Sequence, residues 1–171
     1  MADVGSKLAI STDEWSIDRR TYSKAVRILG LKPTIDAMAT TRNSMCERFF
    51  SGVPQYRSMG INFFAQTLSA KEVYWICPPP KSVAKVFKHL LAHEDDITAY
   101  IGFPEWKHSS FWTMIINGGT FHKCVQKVFY IYPTYRPNNK SDTMFNGTKS
   151  FRLIIILIKT KTTKVPRLKH E

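Results

Sequence analysis

This sequence is short of acid. Thirteen Asp and Glu stand against 25 Lys and Arg in 171 residues, a formal charge of +12. A surplus of that size on a small domain favours a polyanionic partner, nucleic acid first, with a basic tail or simple solubility as the plainer explanation. Cysteine is scarce as well. Cys46, Cys77 and Cys124 are odd in number, far apart and in no CxxC arrangement, which argues against a disulfide framework. Long apolar runs are missing. The longest, Leu153 to Ile158, is far too short to span a bilayer, and no charged segment followed by an apolar stretch opens the chain, so no membrane partner is expected. The expected compartment is intracellular and reducing, nuclear or cytoplasmic. There, Asn146-Gly147-Thr148 reads as a turn rather than a glycosylation site. No internal repeat occurs.

What is present suffices for a core: 43% of residues are apolar, with 11 Phe, 7 Tyr and 4 Trp, in a length that suits one domain. The chain is organised around Val73 to Pro80, V-Y-W-I-C-P-P-P, five β-forming residues stopped by three prolines that cannot continue a buried ladder. Ser82 then opens a helix with Val83, Val86, Phe87, Leu90 and Leu91 on one face. Upstream, Ser16 is the expected cap of a helix from Ile17 that carries Tyr22, Ala25, Val26, Ile28 and Leu29 at helical spacing and stops at Gly30. Thr34 to Met38 reads as a short strand. Its acid, Asp36, sits in a segment fit for burial and wants a partner or a ligand.

Thr41 to Ser51 reads as weakly helical, the region of Pro54 and Gly60 as loop, and Ile61 to Ala65 as a brief extended piece. Ile97 to Phe103 gives another strand, closed by Pro104-Glu105-Trp106. Ser109 or Ser110 is then expected to cap a helix through Phe111, Trp112, Ile115 and Ile116 that ends at Gly118-Gly119. Lys127 to Tyr132 and Phe151 to Ile158 are strands, and the polar loop between them favours antiparallel pairing. The succession predicts an α/β fold: a mostly parallel sheet covered on both faces, with a C-terminal antiparallel strand pair. Residues 1–15 form a lead-in, 16–158 the domain, and 159–171 a basic, aperiodic tail. In that tail Lys159, Lys161 and Lys164 would touch phosphates without sequence preference, or be merely solvated.

In open α/β sheets the ligand crevice lies outside the carboxyl ends of the strands, so the loop Cys77-Pro78-Pro79-Pro80 is the place to look for chemistry. Trp106, near Phe111 and Trp112, suits base stacking or, more plainly, core packing, and Lys81 and Lys107 add charge nearby in the sequence. Asp36 has a plainer reading too, as the cap of a following helix. His89 and His93 have metal-ligand spacing, yet no third ligand follows at suitable spacing; no metal site is expected, and the pair reads as a solvated face. A nucleophilic Cys77 is a weaker idea, because prolines donate no backbone N–H and no histidine is adjacent in sequence.

Several stretches resemble a known family. Asp13-Glu14-Trp15-Ser16 looks like the D-x-W-x-T-P opening of phage-type Dam-like adenine methyltransferases, with Ile17 and Asp18 in place of the closing residues. Thr34 to Phe49 looks like that family's L-D-x-x-A followed by N-x-x-C-x-x-Y or F, and Cys77-Pro78-Pro79-Pro80 falls at its Asn-Pro-Pro-Tyr position. Closer still is the version of this domain in polyproteins of DIRS-type tyrosine-recombinase retrotransposons, located after the reverse transcriptase and RNase H regions. Ile35 to Ala39 with Arg42-Asn43, Arg48 to Ser51, Pro78-Pro79, Phe103 to Trp106 and Met144 to Gly147 carry that likeness. Ala2-Asp3 with Ser6-Lys7 is similar to the close of the RNase H region, so the resemblance covers roughly residues 2–158.

The resemblance implies a Rossmann-like class I methyltransferase fold, with S-adenosylmethionine held around Trp15, Asp36, Ala39 and Asn43. It also implies a target-base loop at Cys77 to Pro80, where the family's amide or carboxylate accepts from an exocyclic amine and an aromatic stacks on the extruded base. The chain departs from the pattern there. A thiol is a weak acceptor, Pro80 has no aromatic ring, and Ala39-Thr40-Thr41 replaces the glycine-rich turn that lets backbone approach a cofactor. The expectation is a degenerate, inactive domain of a retrotransposon polyprotein that has lost its cofactor and serves in nucleic-acid binding, DNA before RNA, or in docking to other parts of the polyprotein. The alternatives are an active S-adenosylmethionine-dependent DNA N6-adenine methyltransferase and an interaction module without nucleic-acid binding.

Overall fold

The structure, a computed structural model, describes residues 15–132, 135–137 and 152–162, and of residues 15, 16 and 135–137 the backbone alone. Asp13-Glu14, the 144–147 motif and Lys164 lie outside the described residues. In chain order the elements are β1 (Trp15–Ile17), α1 (Arg19–Leu29), β2 (Ile35–Asp36), β3 (Arg48–Ser51), β4 (Gly60–Ile61), β5 (Val73–Ile76), α2 (Val83–Ala92), β6 (Thr98–Pro104), α3 (Trp112–Ile115), β7 (Ile116–Asn117), β8 (Thr120–Phe121), β9 (Val125–Ile131), β10 (Tyr135–Pro137) and β11 (Leu153–Lys159). Short 3-10 turns occupy Phe63–Ala65 and Pro80–Ser82.

Seven strands form one sheet in the order β4-β3-β2-β5-β6-β11-β9. All neighbouring pairs from β4 to β6 are parallel, and β11 runs antiparallel to both β6 and β9. This is an α/β fold with a mostly parallel sheet, and the expected C-terminal antiparallel pair is β9 with β11. The chain moves from β2 outward to β3 and β4, then returns to β5 on the other side of β2. The order therefore reverses between β2 and β5.

Both faces are covered. Val83, Val86, Phe87 and Leu90 of α2 pack on one face against Tyr74, Ile76, Ala99, Ile101, Ile154 and Ile156. Tyr22, Ala25 and Leu29 of α1 pack on the other against Trp75, Tyr100, Leu153, Ile155 and Leu157, with the rings of Tyr22 and Trp75 edge to face at 4.7 Å. Burial on both faces is why L-I-I-I-L-I in β11 is apolar at every position instead of every second one. Among the described residues no helix is long and apolar enough to cross a membrane.

Several boundaries differ from the expectation. The cap of α1 is Asp18, whose carboxylate accepts from the Thr21 N–H at 2.7 Å, and not Ser16, which lies in β1. Gly30 ends the helix as expected, left-handed at φ 86°, with its N–H on Val26 O. Thr41 to Ser51 is not helical: a turn leads into β3, which adds parallel to β2 and binds Phe49 and Phe50 into the core. Phe63–Ala65 is a 3-10 turn where an extended piece was expected. The helix after Ser109 is only the four-residue α3, with no side-chain cap. Gly118-Gly119 instead turns a β7–β8 hairpin at φ 58° and 80°, conformations that suit glycine. The tail also starts later than residue 159. Lys159 closes β11, and the Lys161 N–H and Thr162 hydroxyl both bond to the Asp96 carboxylate.

Candidate functional site

The loops that follow four parallel strands enclose a cleft of about 270 Å³ at the carboxyl end of the sheet. Ala37, Met38, Ala39, Thr40 and Asn43 come from the loop after β2, Ser51 and Gly52 from the end of β3, Asn62 and Phe63 from beyond β4, and Cys77 and Pro79 from the end of β5. The cleft stands at the reversal of strand order, where a sheet of this kind splays its loops to either side and leaves a crevice. Its walls are firm. Ala37 N–H and Ala39 N–H extend the ladders onto Trp75 O and Phe50 O at 2.9 and 3.0 Å. Asn43 Oδ1 takes the Thr40 N–H at 2.7 Å while the Asn43 N–H donates to Thr40 Oγ1.

Asp36 lies beneath this cleft and is 4% exposed. Its Oδ2 accepts from the Met45 N–H at 2.9 Å, so the buried acid has found a backbone partner and does not cap a helix. Burial pushes its carboxyl up to about 6, against the pull of the Met45 and Met38 N–H groups. A small cavity of about 20 Å³ joins Asp36 to Met38, Asn43, Met45 and Cys77, room for one water.

Burial also raises the Cys77 thiol well above its usual range. The Asp36 charge adds to this, and the Gly102 N–H opposes it. The sulfur is therefore a neutral S–H at physiological pH and a poor nucleophile. Of the four residues of the proline loop only Cys77 and Pro79 line the cleft; Pro78 and Pro80 are buried, and Pro80 opens the turn that leads into α2.

Ala39, Asn43, Cys77 and Pro79 are thus brought together, with Asp36 just below. Of Trp15 only the backbone is described, paired with Pro137. Trp106 is half-buried and packs against the core, and Lys107 lies 3.9 Å from Glu105. Both follow β6 at the cleft end of the sheet, as exposed Lys81 does after β5, yet none lines the cleft. Lys159 pairs with Thr98 at the start of β6, so Lys159 and Lys161 stand at the opposite end.

His89 and His93 are not a solvated face. Both are half-buried, their rings 4.9 Å apart with His89 edge-on to Phe63, and His93 Nε2 accepts from the Leu68 N–H. Among the described residues no group of three or more His, Cys, Asp or Glu is placed to hold a metal ion.

Ser51, Gly52, Asn62 and Phe63 also line the cleft, though nothing in the sequence marks them as site residues. The signal was the loop Ser51-Gly52-Val53-Pro54, which marks a strand end on the same side as the ends of β2 and β5. Among the described residues no charged side chain lines the cleft. The described residues offer amide, hydroxyl, thiol and apolar contacts, which suit a neutral group. Compared with protein-family models and with curated proteins, the chain matches none.

Proposed function

We propose that this is a methyltransferase-like domain without methyl transfer, retained in a retroelement polyprotein as a nucleic-acid-binding part. The strand order, with one antiparallel strand set between the last two parallel ones, agrees with the class I methyltransferase sheet that the resemblance to Dam-like enzymes implies. The observation that carries the reading is the lining of the cleft. It stands between the loop after β2 and the proline loop, where the resemblance puts cofactor and target base, and its described residues lack the groups that either would need.

S-adenosylmethionine carries a sulfonium and an amino-acid zwitterion, and no charged side chain among the lining residues meets them. Rossmann-like sheets commonly set an acid in this region to take the ribose hydroxyls. Here β3 ends in Ser51, whose Oγ is held 2.6 Å from Val53 O and 2.8 Å from Ser58 Oγ. At the target position a neutral thiol stands in place of an amide or carboxylate and cannot orient an amine. The described lining residues therefore suit the cofactor poorly. The charge of +12 supports a polyanion as the remaining partner.

Calorimetric titration of S-adenosylmethionine and S-adenosylhomocysteine into the folded chain tests the loss of the cofactor, and anisotropy with labelled DNA tests the partner. Heats indistinguishable from dilution, together with DNA binding that weakens steeply with salt, are expected. Micromolar cofactor binding would overturn the silent reading and call for an adenine methylation assay.

A further inference from the structure

The loop from Gly52 to Ile61 leaves the cleft at Gly52 and returns to it at Asn62. It carries an unusual share of exposed apolar surface for its length. Tyr56 is 82% exposed, and Val53, Met59 and Ile61 are each close to half exposed. Arg57 follows Tyr56 in the left-handed region at φ 68°, a conformation uncommon for a residue with a side chain. The loop is nonetheless tied down. Thr41 N–H and Oγ1 bond to Gln55 Oε1, Thr41 Oγ1 also reaches Tyr56 O, and Met59 N–H donates to Phe49 O. Those bonds join it to the segment that carries Arg42.

Charge is one-sided here. Between Ala37 and Lys71 the sequence holds a single acid, Glu47. Arg42 and Arg57 are exposed, and among the described residues neither meets a carboxylate. An exposed ring on a pinned loop, flanked by two cations free of acids, is how proteins hold single strands: bases stack on the ring and guanidinium groups follow the phosphates. Pinning also lowers the ordering cost of binding.

We propose that the 52–61 loop is a binding platform for single-stranded nucleic acid, with a base stacked on Tyr56 and the backbone gripped by Arg42 and Arg57. The proposal deepens the nucleic-acid reading above and rests on it. A protein partner would also cover apolar surface, but the local scarcity of acid and the overall charge favour a polyanion.

The test is fluorescence anisotropy of the full chain with a labelled mixed-sequence 12-mer, single-stranded and as a duplex, over a salt series. Tyr56→Ala should weaken single-strand binding about tenfold or more while Tyr56→Phe, which keeps the ring, stays within about twofold. Arg42→Ala and Arg57→Ala should each flatten the salt slope by about 0.7, the value for one phosphate contact on a single strand. Unchanged thermal midpoints establish that the variants fold. Single-strand binding that is indifferent to Tyr56→Ala, or duplex binding that is tighter and equally indifferent, overturns the platform and leaves the nucleic-acid reading standing. No binding to either form at low salt overturns both.

Discussion

Cys77 and Gly102 touch so closely that a β-carbon built on Gly102 would stand 2.8 Å from Cys77 Sγ. The two lie on neighbouring parallel strands, β6 and the end of β5, and the missing side chain at 102 makes room for the sulfur. Gly102→Ala should therefore overpack this corner and cost about 1–3 kcal/mol in urea denaturation. Cys77→Ala in the same chain should return most of that loss. Additive costs in the double-mutant cycle would show that the contact does not set the packing.

Asp36 supplies a pH dependence whose sign is unusual for an acid. Its carboxyl titrates near 6 in the fold, against about 4 in the unfolded chain. Between those values the folded state holds the extra proton, so stability is greatest below about pH 4 as far as this group is concerned. It falls as pH rises toward 6 and is level above, by about 2–3 kcal/mol in all. Asp36→Asn keeps an acceptor for the Met45 N–H and carries no charge. The variant should be more stable than the parent at pH 7.5, with the gap closing toward pH 4. A gap that does not change with pH would disprove the account.

The sequence was most legible where one residue type has one use. Three prolines end β5 because they cannot join a ladder, and Gly30 ends α1 because its φ of 86° suits glycine. It was least legible where two residues serve equally. Ser16 and Asp18 both cap helices, and only the position of Thr21 N–H decides between them. Gly118-Gly119 ends helices and turns hairpins alike, and β7 and β8 are too short to show alternation. The cleft was half visible, because strand ends at Asp36 and Cys77 could be read but β3 could not, so Ser51 and Asn62 were missed. Lys159 and Lys161 read as part of a basic tail by charge alone. The direction of β11 carries them to the far end of the sheet.

Tyr100 ties β6 to the chain that leaves α1. Its hydroxyl donates to Leu31 O at 2.5 Å and accepts from the Leu31 N–H at 3.2 Å, and the residue is fully buried. Tyr100→Phe keeps the ring and strands both backbone groups of Leu31. A loss of about 1–3 kcal/mol is expected in denaturant titration. A neutral result would mean that water replaces the hydroxyl.

The thiols bear most directly on what the cleft can do. All three cysteines are free. Burial raises Cys46 to about 11 and Cys124 to about 12, and Cys77 also lies well above the usual thiol range. Only the thiolate attacks a disulfide reagent, so in the native protein at pH 8 all three should react about a hundredfold or more slowly than free cysteine. In denaturant three equivalents should react at once. Because the Asp36 charge helps to raise both Cys46 and Cys77, Asp36→Asn should speed those two and leave Cys124 unchanged. Rapid native labelling of Cys77 would place an activated nucleophile in the cleft and overturn the view that its chemistry is silent.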